Sequence, residues 1–404
     1  MKNPDSLDSA YSWVRLVITL LIATVGSAGM WSIIVIMPAV QAEFGVDRAD
    51  ASLPYTLTMI GFAAGNLVIG RAVDRYGVCS SLIGATACIT VGFVLSAASP
   101  SIYVMSAYQL LVGFGAAASF GPLMADISHW FLRRRGIAVA ITACGNYLSG
   151  VIWPILLTTV LGDPGWRTIY LVLAAISVLT MVPLALMLRR RVSAAATKIA
   201  GDLADANVRA VHFTPRTLQL LLVIAGIGCC VAMSMPQVHI VSLCVDLGYG
   251  PAAGAEMLSM MLLGGVVSRL VSGVIADRLG GVMTLLIGSG LQCVALFLYL
   301  PYDGLASLYI VSVVFGLSQG GIVPSYALIV REYMPPQEAG ARVGVVITAT
   351  IVGMAVGGWM SGWIYDLTGS YQMAFINGIL WNLLNIAIIG MIFVKTRSNR
   401  PVPA

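Results

Sequence analysis

One positive charge lies well inside an apolar stretch of this 404-residue chain: Arg269, in the run Glu256–Gly281, EMLSMMLLGGVVSRLVSGVIADRLGG. An arginine in hydrocarbon costs at least ~2.5 kcal/mol, so it is held by a partner, a wet cavity or a ligand. Its guanidinium is a planar fork of donors that stays charged and grips a carboxylate through two parallel bonds. The chemistry on offer is recognition of an organic anion. Two plainer readings stand beside it. The side chain snorkels to the nearby membrane face or pairs with Asp277, or Gly264, Gly265, Ser268, Ser272 and Gly273 let a tightly packed helix bury it for structure.

A second pair of groups could move protons. His239 precedes Asp246 by seven residues, about two helical turns, and histidine is the side chain that titrates near neutral pH. The alternative is a histidine satisfied by backbone or water beside a capping aspartate. Further polar residues stand in apolar runs: Asn66, Asn146, Tyr147, Gln319 and Tyr326. Polar groups in hydrocarbon need partners. Interhelical hydrogen bonds supply them as often as ligands do. Trp31 and Trp359 are deep enough in their runs to face a cavity, whereas Trp13, Trp130, Trp166 and Trp363 fit interfacial belts.

The elements that must position these groups follow from composition. Hydrophobic residues make up 59% of the chain and charged residues 10%, with a mean hydropathy of +0.92, which excludes a water-soluble globule. At about 20 apolar residues per crossing, the chain reads as an all-α integral membrane protein with twelve spans. They fall near 14–37, 52–70, 79–98, 102–126, 137–160, 167–188, 217–242, 254–275, 282–300, 305–330, 342–364 and 372–394. The apolar run after the short polar N-terminus shows no small-residue cleavage pattern and reads as an uncleaved first span. The polar stretch 189–216 divides an N-terminal bundle, 1–188, from a C-terminal bundle, 217–404, and its Ala-rich middle is either a surface helix or solvated linker. With both termini cytoplasmic, all of the 22 Lys and Arg except Arg48, Arg167 and Arg269 fall in or beside cytoplasmic segments, as the positive-inside rule requires. The seven cysteines show no C-x-x-C spacing and read as small apolar side chains.

The two bundles repeat each other. GRAVDRYG at Gly70–Gly77 recurs as GVIADRLG at Gly273–Gly280, each after the second helix of its bundle, and the same offset lays Gly113 on Gly316 and Asn66 on Arg269. Parallel repeats about an axis along the membrane normal mark transporters, with the site between the bundles.

The pattern G-x-x-x-D-R-x-G, twelve spans, a basic central loop and the repeat together resemble the major facilitator superfamily over nearly the whole chain. Within it, MPAVQAEFGVDRADAS, HWFLRRRG, HIVSLCVDLGY and SRLVSGVIADRLG look like the monocarboxylate porters and the related bacterial oxalate/formate exchangers. That resemblance implies substrate binding by an arginine of the eighth helix, here Arg269. It also implies proton or substrate handling by His239 and Asp246. Gly70, Asp74, Arg75 and Gly77, with Gly273, Asp277, Arg278 and Gly280 as the degenerate copy, would form the cytoplasmic gating motif whose charge network steadies the outward-open state.

Two departures refine the expectation. Phe120 and Ala118 stand where relatives commonly carry a tyrosine and an asparagine, which argues against a small hydroxy acid and for a more apolar or bulkier carboxylate. The eleventh span, VITATIVGMAVGGWMSGW, lacks the lysine that accompanies dicarboxylate exchange. The expected function is alternating-access transport of a small organic monocarboxylate, with a proton as coupling ion, by a monomer in the cell's inner membrane. Arg269, Asn66, Phe120, Asn146, Tyr147, Gln319 and Tyr326 are its candidate substrate contacts. A dicarboxylate or anion exchanger is the runner-up. A drug/proton antiporter is disfavoured because the fifth span reads GNYLSGVIWP instead of G-x-x-x-G-P-x-x-G-G. A non-transporting sensor or an enzyme has no appended domain or nucleophile motif to support it. No cofactor, metal or nucleic acid is expected.

Overall fold

The computed structural model describes residues 7–131, 134–160, 165–190, 213–301, 304–334 and 336–397, except for a few side chains within helices, that of Asp74 among them. The expected surface helix or linker of 189–216 falls largely outside the described residues. Every regular element among them is helical, because a chain in lipid must satisfy its backbone within each segment. Twelve helices are long and apolar enough to cross a membrane. We label them α1 (Ala10–Phe44), α2 (Arg48–Val73), α3 (Val78–Ala97), α4 (Ile102–Ser128), α5 (Ile137–Thr158), α6 (Trp166–Met187), α7 (Pro215–Asp246), α8 (Gly250–Leu279), α9 (Gly281–Leu298), α10 (Leu305–Tyr333), α11 (Arg342–Thr368) and α12 (Tyr371–Lys395). The end of the bundle where α1 begins is called the near end, and the opposite one the far end.

The repeat read from the sequence recurs at the level of atoms. A Cβ on Gly113 would stand 1.9 Å from the Thr58 carbonyl oxygen, and one on Gly316 would stand 2.0 Å from that of Met261. Both glycines let the fourth helix of a bundle lie against the second, the close approach that small residues permit. The helix of α2 continues to Tyr76, and Gly77 and Gly280 cap it and α8 with φ of 90° and 82°, the left-handed region that favours glycine, each also starting the next helix. Stacked Phe93 and Tyr170 tie α3 to α6 at 5.3 Å between ring centroids. Tyr299, at the end of α9, stacks on Phe375 of α12 at 5.0 Å.

Two helices break at matching depths. In α4 a short tight turn, Ala117–Ser119, precedes a restart at Gly121; in α10 the helix stops at Gln319 and restarts at Ile322. Prolines explain the breaks. Pro122 and Pro324 cannot donate to the carbonyls four residues earlier, those of Ala118 and Gly320.

Charges inside the N-terminal bundle are neutralised locally. Arg15, 1% exposed, grips Asp126 through Nε (2.9 Å) and Nη2 (3.0 Å), while Nη1 donates to the carbonyls of Leu188 and Arg190. Its guanidinium lies 4.6 Å from the Trp130 ring. Glu43 holds the Trp166 indole and Arg167. Trp130 and Trp166 are therefore buried partners of ion pairs, not belt residues. Trp359 is 37% exposed and stacks on Trp363, so it faces outward instead of toward a cavity.

Substituting Gly113 or Gly316 by valine is expected to force α2 from α4, or α8 from α10. The overpacking cost is about 1–3 kcal/mol. Thermal unfolding in detergent should show a fall of several degrees, whereas Gly84→Ala, which meets nothing within 4 Å, should leave the midpoint unchanged or slightly raised.

Candidate functional site

The two bundles meet along α2–α11 and α5–α8, and Arg269 lies at the second seam. It is 7% exposed. Nε donates to the Gly320 carbonyl at 3.1 Å, and Nη1 donates to the Ala143 carbonyl of α5 at 2.5 Å. The guanidinium carbon stands 4.1 Å from the centroid of the Tyr147 ring, an approach Gly265 permits because a Cβ there would stand 2.9 Å from that ring. The Gly320 carbonyl is free to accept because its helical donor would be the absent N–H of Pro324. Arg269 thus bridges the bundles through neutral oxygens and a π face.

Its contrast with the other buried arginines is informative. Arg15 and Arg48 each carry a carboxylate, Asp126 and Asp246, whereas among the described residues Arg269 has none. It neither turns out to the near face nor reaches Asp277, which is exposed. A guanidinium held by carbonyls keeps its net charge, and an anion that reached it would add charge neutralisation and a two-pronged pair of parallel N–H···O bonds.

Around it the structure gathers some of the expected residues and disperses others. Tyr147 lies against the guanidinium. Asn146 takes the Trp31 indole N–H on its backbone oxygen (2.9 Å) and on Oδ1 (3.1 Å), pinning α1 to α5 one residue from Tyr147. Gln319 adjoins Gly320 and accepts from Gln237 Nε2 at 2.6 Å. Asn66 donates to the Phe62 carbonyl of its own helix at 2.8 Å and faces Gly121, while Phe120 rests 6.0 Å from Phe62 in the break of α4. Tyr326 is drawn elsewhere: its hydroxyl donates to Asn385 Oδ1 at 2.7 Å, in a polar knot with Asn382 and Ser289 inside the C-terminal bundle.

His239 and Asp246 are not bonded to each other. His239 is 2% exposed, with Nε2 2.7 Å from the Gly358 carbonyl and Nδ1 3.2 Å from the Tyr371 hydroxyl. Asp246 instead crosses between bundles, its two oxygens 2.9 and 3.0 Å from Arg48 Nη2. The two sites are connected through rings: Arg48 lies 4.9 Å from the Tyr365 centroid, Tyr365 4.5 Å from Tyr371, and Tyr371 5.4 Å from His239.

The same far-end contact caps a helix across the seam. Asp366 of α11 accepts the N–H groups of Arg48 (2.9 Å) and Ala49 (2.7 Å), the first donors of α2. A carboxylate there also meets the positive end of the α2 dipole. Below it, Thr56 donates to the Ala355 carbonyl at 3.3 Å, and Gly362 and Gly358 let the helices close on Ser52 and Tyr55.

At the near end the motif stands open. Gly70 and Gly273 have nothing within 4 Å of a would-be Cβ, and Gly77 and Gly280 form the breaks described above. Arg75, Asp277 and Arg278 are exposed and make no ion pair among the described residues; Arg75 lies over its neighbour Tyr76. The side chain of Asp74 is outside the described residues.

Sequence reasoning missed Arg15, Arg48, Asp366 and Gln237 as functional or organising groups. Arg48 was placed only as a loop charge, and its partners lie some two hundred residues away or more. The break at Pro324 was the one local signal that a carbonyl near Arg269 would be free.

Comparison with known proteins follows this geometry. The family model described as Major Facilitator Superfamily matches residues 19–305 and 220–404. Monocarboxylate transporter 13 of Rattus norvegicus is 26% identical over 325 residues, covering 76% of this chain and 74% of the relative. Monocarboxylate transporter 11 of Homo sapiens is 27% identical over 389 residues, covering 91% and 80%. Among solved structures, a bacterial homologue of the human lysosomal transporter Spinster, inward-facing and occupied, superposes with a TM-score of 0.75 at 12% identity, covering 100% of both chains.

Removing one end of the far-end pair is expected to loosen the seam. Arg48→Asp and Asp246→Arg should each lower the thermal midpoint, and the two together should recover it, with a coupling of roughly 0.5–3 kcal/mol in a double-mutant cycle. Asp366→Ala should lose stability whichever charge stands at 48, because Asp366 binds backbone.

Proposed function

We propose, for a chain that belongs to the Major Facilitator Superfamily and is a multi-pass membrane transporter resembling the monocarboxylate porters, that its cargo is an organic monocarboxylate bound by Arg269. The observation that carries this reading is the guanidinium at the α5–α8 seam, buried among neutral acceptors with no carboxylate partner among the described residues. A substrate carboxylate supplies the missing charge. Because both carbonyls are neutral, a carboxylate competes with them for the guanidinium, and where it replaces the Ala143 contact it exchanges a bond between bundles for bonds to cargo. Binding and movement of the bundles are thereby linked, since a ligand shifts an equilibrium only through contacts that differ between its states.

The charge count selects the cargo. Arg15 and Arg48 are committed to Asp126 and Asp246, so the one uncommitted buried cation among the described residues meets one carboxylate. A dianion would leave its second charge unpaired in low dielectric. Tyr147 and the Trp31–Asn146 contact give the site aromatic and apolar walls suited to the rest of the molecule.

The basic residues favour a cytoplasmic near end, with both termini inside and the protein in the cell's inner membrane. The far end then faces outward, and its Arg48–Asp246 and Asp366 contacts close the outer side. A proton is the coupling ion in this reading. Protonated His239 would put a second positive charge within range of Arg48 and weaken its hold on Asp246, with Tyr365 and Tyr371 between them. Proton uptake and opening of the outer side are thus one electrostatic event.

A thermal-shift screen of organic acids on purified protein tests the cargo. A substrate raises the midpoint by mass action, and Arg269→Ala is expected to abolish that rise. Arg269→Lys should abolish it too, because a point charge lacks the fork. Acids that stabilise the alanine variant as well as the native protein would refute the assignment. In liposomes, uptake of the identified acid should accelerate with an inward proton gradient, and Tyr371→Phe should weaken that dependence; uptake indifferent to the gradient would exclude proton coupling.

A further inference from the structure

Two buried glutamines near Arg269 are only half bonded. Gln237 of α7 is 1% exposed and Gln319 of α10 is 0% exposed. Gln237 Nε2 donates to Gln319 Oε1 at 2.6 Å, but Gln237 Oε1 and Gln319 Nε2 have no partner among the described residues. Facing amides can make two bonds; this pair makes one and leaves an acceptor and a donor open. A buried donor or acceptor left so carries its full desolvation cost. Native structures pair nearly all such groups, so an unmatched donor and acceptor together point to a ligand or water that completes them.

Their place in the fold favours a ligand. Gln319 is the residue before Gly320, whose carbonyl holds Arg269 Nε, so the two Cα atoms are only ~3.8 Å apart. Gln237 is seven residues beyond Cys230, two turns along the same face of α7. Cys230 is within electrostatic range of Tyr55 and of Tyr147, both in the other bundle. This face of α7 therefore looks across the seam, and Tyr147 is the ring beneath Arg269.

We infer that Gln237 and Gln319 receive a second polar group of the cargo, one that donates to Gln237 Oε1 and accepts from Gln319 Nε2 while the carboxylate sits on Arg269. A hydroxyl, a carboxamide or a protonated carboxyl does both. The cargo is then a bifunctional acid, charged at one end and neutral-polar at the other, not a plain aliphatic acid. This inference rests on the carboxylate reading above and adds to it the chemistry of the far end of the molecule. Gln319 and Gln237 become the residues that set specificity.

The test uses full-length purified protein and a homologous series of straight-chain monocarboxylates, each paired with its hydroxylated and carboxamide analogue. In native protein the bifunctional member of the best-fitting pair should bind roughly tenfold more tightly than the plain acid. In Gln237→Leu/Gln319→Leu that preference should vanish, the ratio of affinities within each pair falling to about one, because removing both amides removes the open groups together. Should the double variant fail to fold, Gln237→Met removes the open acceptor together with the amide that donates to Gln319, and the discrimination between a hydroxyl and its methyl ether should fall. Equal binding within every pair by native protein, or a preference that survives the double variant, would show that the amides hold water and overturn the inference. If instead every acid binds Arg269→Ala as well as native protein, the carboxylate reading itself has failed, and the inference falls with it by a different and recognisable signature.

Discussion

A buried positive charge that meets no carboxylate among the described residues sets the terms for this molecule. Taking a guanidinium out of water is costly, and the usual remedy is visible twice in the chain: Arg15 with Asp126 and Arg48 with Asp246. Arg269 receives two carbonyls and an aromatic face instead. Those contacts orient the side chain without cancelling its charge. They also span the seam, so the arginine ties the two bundles together, and in the reading proposed above it also receives the anion.

The surrounding structure can be read as what that placement requires. The proline-broken α10 exposes a carbonyl at the right depth, Gly265 admits Tyr147, and Gly113 and Gly316 pack the fourth helix of each bundle closely against the second. The repeat supplies this scaffold twice, yet its charges differ between halves. Glu43 of the first bundle is held within that bundle by Trp166 and Arg167. At the matching helix starts the second bundle has Tyr371 and the neutral Gln372, which donates to the Leu300 carbonyl much as Arg167 donates to that of Ser99. Asp246 is consequently free to reach the other bundle and take Arg48.

Most of the architecture was legible in the sequence because membrane crossing is a matter of length and hydropathy, and the twelve expected spans lie within a few residues of the twelve helices, apart from a longer first one. Arg269 was legible because a charge within an apolar run is conspicuous. Its partners were not: nothing local to Ala143 or Gly320 marks either as an acceptor, although Pro324 hints at the second. Arg48, Asp366 and Gln237 read as ordinary loop or span residues until the bundles are assembled, since their meaning depends on contacts across the seam or between distant helices. The tryptophans show the converse error, for depth along a helix does not say which way it faces. Trp359 points outward, and Trp166, placed at an interface, is enclosed beside Glu43.

The cap on α2 carries a consequence of its own. The first turn of any helix has amide hydrogens with no acceptor inside the helix. Here the carboxylate that receives two of them belongs to the opposite bundle. When the bundles part at that end, Asp366 leaves with its own half, and the amides of Arg48 and Ala49 pass to solvent. Separation and loss of the cap are one coupled event, and the cap re-forms only when the halves return.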